Sequence, residues 1–166
     1  MNTKNQFLTT DLRKALGNFA TGVTVVTTVS KEGQLVGVTA NSFSSVSLEP
    51  PIVLWSLKKT SPSLDAFDHC GRFVINVLAL TQTDLSKRFA SPIPDKFSTV
   101  AYSEGIAGLP LIDNCVASFQ CKTHQRIEAG DHILYLGEVQ AFDHQDHPTL
   151  MFCKGKYIQG SELAVA

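Results

Sequence analysis

No basic run appears anywhere in this chain, whose 14 lysines and arginines face 15 aspartates and glutamates for a net charge of -1. A nucleic-acid interface or an anionic-membrane footprint needs clustered positive charge, so neither is expected. The four cysteines, Cys70, Cys115, Cys121 and Cys153, form no C-x-x-C pair, and they read as buried, reduced thiols rather than a zinc or redox motif. No apolar run is long enough to cross a bilayer, and "MNTKNQFLTTDLRK" lacks the basic region and apolar core of a signal peptide. The expectation is a soluble, cytoplasmic protein. Neither G-x-G-x-x-G nor G-x-x-x-x-G-K-[ST] occurs, so a Rossmann dinucleotide site and a P-loop have no support. Any nucleotide is held another way. Repeats, low-complexity tracts and linkers are missing as well.

What is present is a chain of 166 residues, 43% of them apolar, enough for one sizeable core and read as a single domain over 1–166. "TDLRKALGNFATG" spaces Leu12, Leu16 and Phe19 on one helical face, with Thr10 as N-cap and Gly22 as the stop. Val23–Ser30 is β-branched and pairs across "KEGQ" with "LVGVTA" as a hairpin. "LEPP" interrupts the strands and "IVLWSL" resumes them. A second helix is capped by Ser61, starts at Pro62 and stops at Gly71; "RFVINVLAL" is a strand, and "TDLSKRFA" a third short helix. Three further strands follow, "CVASFQCK" running on through "THQRIEAGDH", its return "ILYLGEVQAF", and one last strand "TLMFCKGKYI". Many strands, few helices and no β-α alternation predict a mainly β fold, a closed antiparallel barrel decorated with short helices.

The stretch "VTANSFSSVS" stands out, because hydroxyl and amide side chains at the edge of a core need partners. A run with no carboxylate suits a neutral heterocycle that must be hydrogen-bonded and is reduced to an anion. Downstream, "SLKKTSPS" sets Lys58, Lys59, Thr60 and Ser61 just before a predicted helix, where hydroxyls and backbone donors would cradle a phosphate. An ordinary Ser/Thr-rich turn with a helix cap is the commoner use of such residues. "FDHQDHP" holds Asp143, His144, Asp146 and His147, but without further ligands at a recognisable spacing it reads as a solvated loop, and no metal is expected. His132 in "AGDH" could project into a cleft, although a lone histidine is more often structural.

Taken together, "LRKALGNFATGVTVVTT", "GVTANSFSSVSLEPPIVLWSL", "GRFVINVL", "FASPIPDKF", "GDHILYLGEV" and "LMFCKGKY" resemble the short-chain flavin reductases, the reductase components of two-component flavin-dependent monooxygenases. The resemblance covers nearly the whole chain and implies the FMN-binding split β-barrel, antiparallel and Greek-key-like, with short α-helices. It implies that Thr39, Ala40, Asn41 and Ser42 line the flavin ring with Ser45 nearby, and that Trp55, Ser56 and Leu57 contact ring and ribityl chain. Thr60 and Ser61, helped by Lys59, would hold the phosphate, and Ala90 and Lys96 would close over the flavin tail. His132 would touch the nicotinamide, with Tyr157 completing that pocket.

The implied activity is reduction of FMN or FAD by NADH or NADPH, with no covalent catalytic side chain, in a homodimer that releases reduced flavin to a separate monooxygenase. The competing class is a non-catalytic flavin- or haem-binding split barrel, which would need neither the histidine of "AGDH" nor the retained "PDKF".

Overall fold

The β-branched run that starts at Val23 becomes the most buried strand of the protein, and the fold is laid out around it. The computed structural model describes residues 8–161; the part of the signal-peptide reading that rests on residues 1–7 lies outside the described residues. A helix α1 (Thr9–Leu16) leads into the short β1 (Thr21–Gly22), then β2 (Thr24–Val29), β3 (Leu35–Ala40), β4 (Ser44–Leu48) and β5 (Pro51–Lys58). Helix α2 (Leu64–Cys70) precedes β6 (Arg72–Val77), and α3 (Thr83–Ala90) precedes the small hairpin β7 (Tyr102–Glu104) and β8 (Pro110–Ile112). The long β9 (Ala117–Ala129) and β10 (His132–His144) are followed by β11 (Leu150–Cys153) and β12 (Lys156–Gln159).

The main sheet runs β3-β2-β6-β9-β10-β5-β4, every neighbouring pair antiparallel. Its two edges, β3 and β4, are consecutive in the chain, so residues 41–43 carry the backbone from one edge of the sheet to the other. This is an open, split barrel rather than the hydrogen-bonded closed cylinder that strand counting suggested. The opening is bridged by one side chain. Ser42 falls where the β4–β5 register would continue, accepts from the Ser56 N–H at 2.9 Å and donates to the Ser56 carbonyl at 3.2 Å.

Strand β2 is buried on both faces, because alternate residues feed two cores. Val26 joins Trp55, Phe67, Phe73, Ile75, Ile133 and Tyr135 inside the barrel, whereas Val23 and Val25 pack with Leu78, Phe89, Phe97 and Leu150 beneath α3. Trp55 is stacked on Tyr135 at 5.1 Å and takes the edges of Phe67 and Phe73. Threonines enter this apolar strand because each hydroxyl finds a carbonyl: Thr24 on Ala40, Thr27 on Pro110, Thr28 on Arg72. Asn76, fully buried, donates to the Val25 carbonyl and Thr27 Oγ1 and accepts the Ile112 N–H, tying β8 to the sheet.

Several local expectations are corrected. Helix α1 is entered from Leu8 rather than capped by Thr10, and ends at Gly17, while Gly22 lies in β1; its apolar face is exposed rather than packed. Helix α2 starts at Leu64 behind Ser63, because Ser61 and Pro62 belong to the preceding turn. The last strand is two, since Lys154 and Gly155 both adopt positive φ and fold the chain back between β11 and β12. All four cysteines are free; only Cys115 and Cys121 are buried, and burial pushes both thiols up to about 12.

Asn76→Ala leaves the Ile112 N–H unpaired in the core, and we expect it to cost about 1–3 kcal/mol of stability, read as a lower urea midpoint. An unchanged midpoint would show that the hairpin does not depend on this amide.

Candidate functional site

The corner formed by residues 39–42 is one wall of a groove of about 440 Å³. Its second wall is the end of β5 with the turn that follows, and its third is the end of α3 with the loop "SPIPDKF". Thr39, Ala40, Asn41 and Ser42 reach it from the corner, Ser56, Leu57, Thr60 and Ser61 from β5 and its turn. Ala90 and Lys96 come from the α3 side and His132 from the start of β10. Strand pairing explains the last, since His132 sits opposite Lys58 in the β10–β5 register.

Much of the polar corner is satisfied by the protein itself. Thr39 Oγ1 donates to the Ser86 carbonyl at 2.7 Å, and Ser42 is spent on Ser56, which leaves Asn41 exposed at the rim. These residues shape the groove first and contact a ligand second.

Four expected residues are not brought to the groove. Trp55 is 0% exposed in the barrel core, because the pleat sends it and Ser56 to opposite faces. Ser45 is exposed on the edge strand β4, past the corner, and does not line the groove. Lys59 turns outward onto Glu128 at 3.0 Å, and Arg126 meets the same carboxylate group at 3.6 Å. Tyr157 is one layer behind the wall, its hydroxyl 2.9 Å from Ser86 Oγ.

The sequence set Lys58 and Lys59 together before the second helix, and the resemblance singled out Lys59 for the phosphate. Lys58 lines the groove where Lys59 was expected, and the alternation that buries Trp55 and Leu57 was the signal for it.

The charge of the groove follows from this list. Lys58, Lys96 and His132 line it, and no aspartate or glutamate does. Lys96 is anchored by carbonyls instead of a carboxylate, donating to Phe89 at 2.8 Å and Gly37 at 3.4 Å, and burial lowers its pKa below that of an ordinary lysine. Its own carbonyl accepts from Arg88 Nε at 2.5 Å, and Arg88 also reaches Ser98 Oγ at 2.9 Å, clamping the loop to α3. Phe89 seats α3 on β3 by lying over Gly37, where an added Cβ would come within 2.6 Å of the ring. The His132 Nδ1 lies 2.7 Å from Asp131 Oδ1, and that bond holds the Asp131 carboxyl below its usual range. Asp131 in turn accepts the Lys59 N–H on its carbonyl, joining the two turns at the groove mouth.

A groove with hydroxyls, two lysines and no carboxylate, at the gap of a split antiparallel barrel, defines a binder of anionic, hydrogen-bonding ligands. The residues present fit a flavin phosphate. Residues 16–161 match the flavin reductase like domain, and the chain belongs to that family. It is 43% identical over 89% of its length to the reductase component of a flavin-dependent trigonelline monooxygenase from Acinetobacter baylyi, of which it spans 47%. It is 42% identical over 87% of its length to the FMN reductase (NADH) SmoA of Agrobacterium fabrum, covering 82% of that protein. Among solved structures, the NADH:FAD oxidoreductase SgcE6 of Streptomyces globisporus, in complex with NAD and FAD fragments, superposes with a TM-score of 0.88. That match, at 35% identity, covers 94% of each chain. The chain spans about half the length of the first curated relatives it matches.

Lys58→Ala is expected to weaken FMN about tenfold and riboflavin hardly at all, whereas Lys59→Ala changes neither. Fluorescence titration with the two flavins decides it, and equal effects of the two substitutions would return Lys59 to the site.

Proposed function

We propose that this chain is a flavin reductase that takes FMN or FAD into the groove, accepts hydride from NADH or NADPH, and supplies reduced flavin to a separate monooxygenase component. The observation that carries the reading is the carboxylate-free groove with Lys58, Lys96 and His132 along it. The family and the activities of its relatives support it: one is an FMN reductase using NADH, another the reductase component of a monooxygenase. The residues over 1–166 act as one reductase unit in the cytoplasm; among the described residues no helix is long and apolar enough to cross a membrane.

A bound flavin supplies the redox chemistry, as a two-electron acceptor for hydride from a reduced nicotinamide. The chain's own residues bind and orient. Thr60 and Ser61, with Lys58, take the phosphate end, and Ala90 and Lys96 close over the flavin tail. The backbone of the Thr39–Ser42 corner, the Asn41 amide and the Ser56 hydroxyl face the ring end. A groove with lysines and without carboxylates favours the negative charge that reduction leaves there. The bond to Asp131 fixes the orientation of the His132 imidazole and occupies Nδ1, so Nε2 is the nitrogen left to meet the nicotinamide amide. No side chain acts as a nucleophile.

We also propose a homodimer. Phe19, Leu48 and Phe142 are 79%, 93% and 68% exposed, and Leu12 and Leu16 of α1 are exposed as well. A second copy is the simplest cover for such surface.

Anaerobic mixing of the protein with FMN or FAD and excess NADH is expected to bleach many flavins per chain. Flavin that binds without bleaching points to the non-catalytic binder. His132→Ala should raise KM for NADH about tenfold with flavin affinity retained, and an unchanged KM and hydride-transfer rate would remove His132 from the site. On a sizing column the native protein should elute near twice the 18.0 kDa of one chain; a fully active single-chain species would refute the dimer.

A further inference from the structure

The groove does not end at the phosphate turn. Past Pro62, Ser63, Pro92 and Lys96, which line both spaces, it opens into a second cavity of about 630 Å³. Both volumes fall in the range of roughly 300–1,000 Å³ that encloses organic ligands.

The two spaces differ in charge. The first has cations and no carboxylate; the second has Glu32, Asp65 and Asp95 and, apart from the shared Lys96, no cation. Glu32 is on the β2–β3 turn, where Ser30 Oγ donates to it at 3.0 Å and Lys31 stands 3.8 Å away. Asp65 is in the first turn of α2, and neither side chain is buried. Leu35 and Val36 of β3 and the exposed Ile93 and Pro94 of the opposing loop give the cavity apolar walls.

A phosphate is repelled by such a set of carboxylates, whereas a ribose diol is sought by them, since a carboxylate accepts from sugar hydroxyls. A planar base is served by the apolar ledge. A ligand that is anionic in the middle and neutral and hydroxylated at its end matches this order of charges, and FMN, which ends at its phosphate, does not fill it.

We propose that the second cavity is an adenosine subsite and that the chain takes FAD in preference to FMN, with ribose on Glu32 and Asp65 and adenine against Ile93 and Pro94. The proposal rests on the flavin reading of the first groove. NADH carries the same adenosine chemistry, but the cavity opens directly from the phosphate turn through Lys96, which is the continuity a single FAD molecule requires.

The test titrates the native protein and the Glu32→Gln/Asp65→Asn double variant with FAD and FMN by flavin fluorescence, without NADH, and with AMP as a competitor. The native chain is expected to bind FAD about tenfold more tightly than FMN, AMP to compete with FAD, and the double variant to lose most of that preference. Equal affinities in the native chain, or a preference untouched by the double substitution, overturns the assignment. A second arm measures KM for NADH with FMN as acceptor. A rise there in the double variant, with the FAD:FMN ratio unchanged, gives the subsite to NADH and also overturns it. Failure of both flavins to bind sinks the flavin reading with it, whereas a shifted FAD:FMN ratio without NADH turnover supports the subsite and removes only the reductase activity.

Discussion

The constraint on which the structure depends is that the two edges of its main sheet are consecutive strands. A sheet ordered β3-β2-β6-β9-β10-β5-β4 must bring its ends together, and it does so through residues 41–43 rather than through a backbone ladder. Ser42 stands in for the missing ladder with a reciprocal pair of bonds to Ser56. The gap left beside that stitch is the groove. Because its floor is built from strands packed over Trp55, Phe67, Phe73 and Tyr135, the polar groups at its rim are held by a close-packed core rather than by loops alone.

Charge separation is the second organising feature. Carboxylates are kept out of the groove and put to use around it. Glu128 draws Lys59 away to the outer face, and Asp131 holds His132 at the mouth. Asp68 binds Arg126 at 2.9 Å and the Tyr135 hydroxyl at 2.6 Å, which pins α2 to the barrel, and burial, followed by the Asp68 carboxylate, raises the tyrosine's pKa. Lys96, with carbonyl partners only, keeps its charge available to a ligand.

The amino-acid order by itself determined most element types, since the β-branched run of β2, the alternation at the start of β9 and the helical spacing in α3 are local physics. It also carried the family resemblance, and with it the corner 39–42, the turn 60–61, Lys96 and His132, all of which meet in one groove. The small β7–β8 hairpin escaped that reading because three-residue strands have too little pattern, and β8 is held by the distant Asn76. Whether α1 would pack was equally illegible, since an apolar face does not say what covers it.

Tertiary structure decided which side chains of an element reach the site. Lys58 and Lys59 are equivalent as letters, but the pleat of β5 and the presence of Glu128 on β9 send one inward and the other out. Trp55 and Tyr157 belong to the right segments and face the wrong side, into the core and onto Ser86. The physical reason is that direction in a sheet depends on register with strands far away in sequence, whereas the tendency to be a strand depends on near neighbours alone.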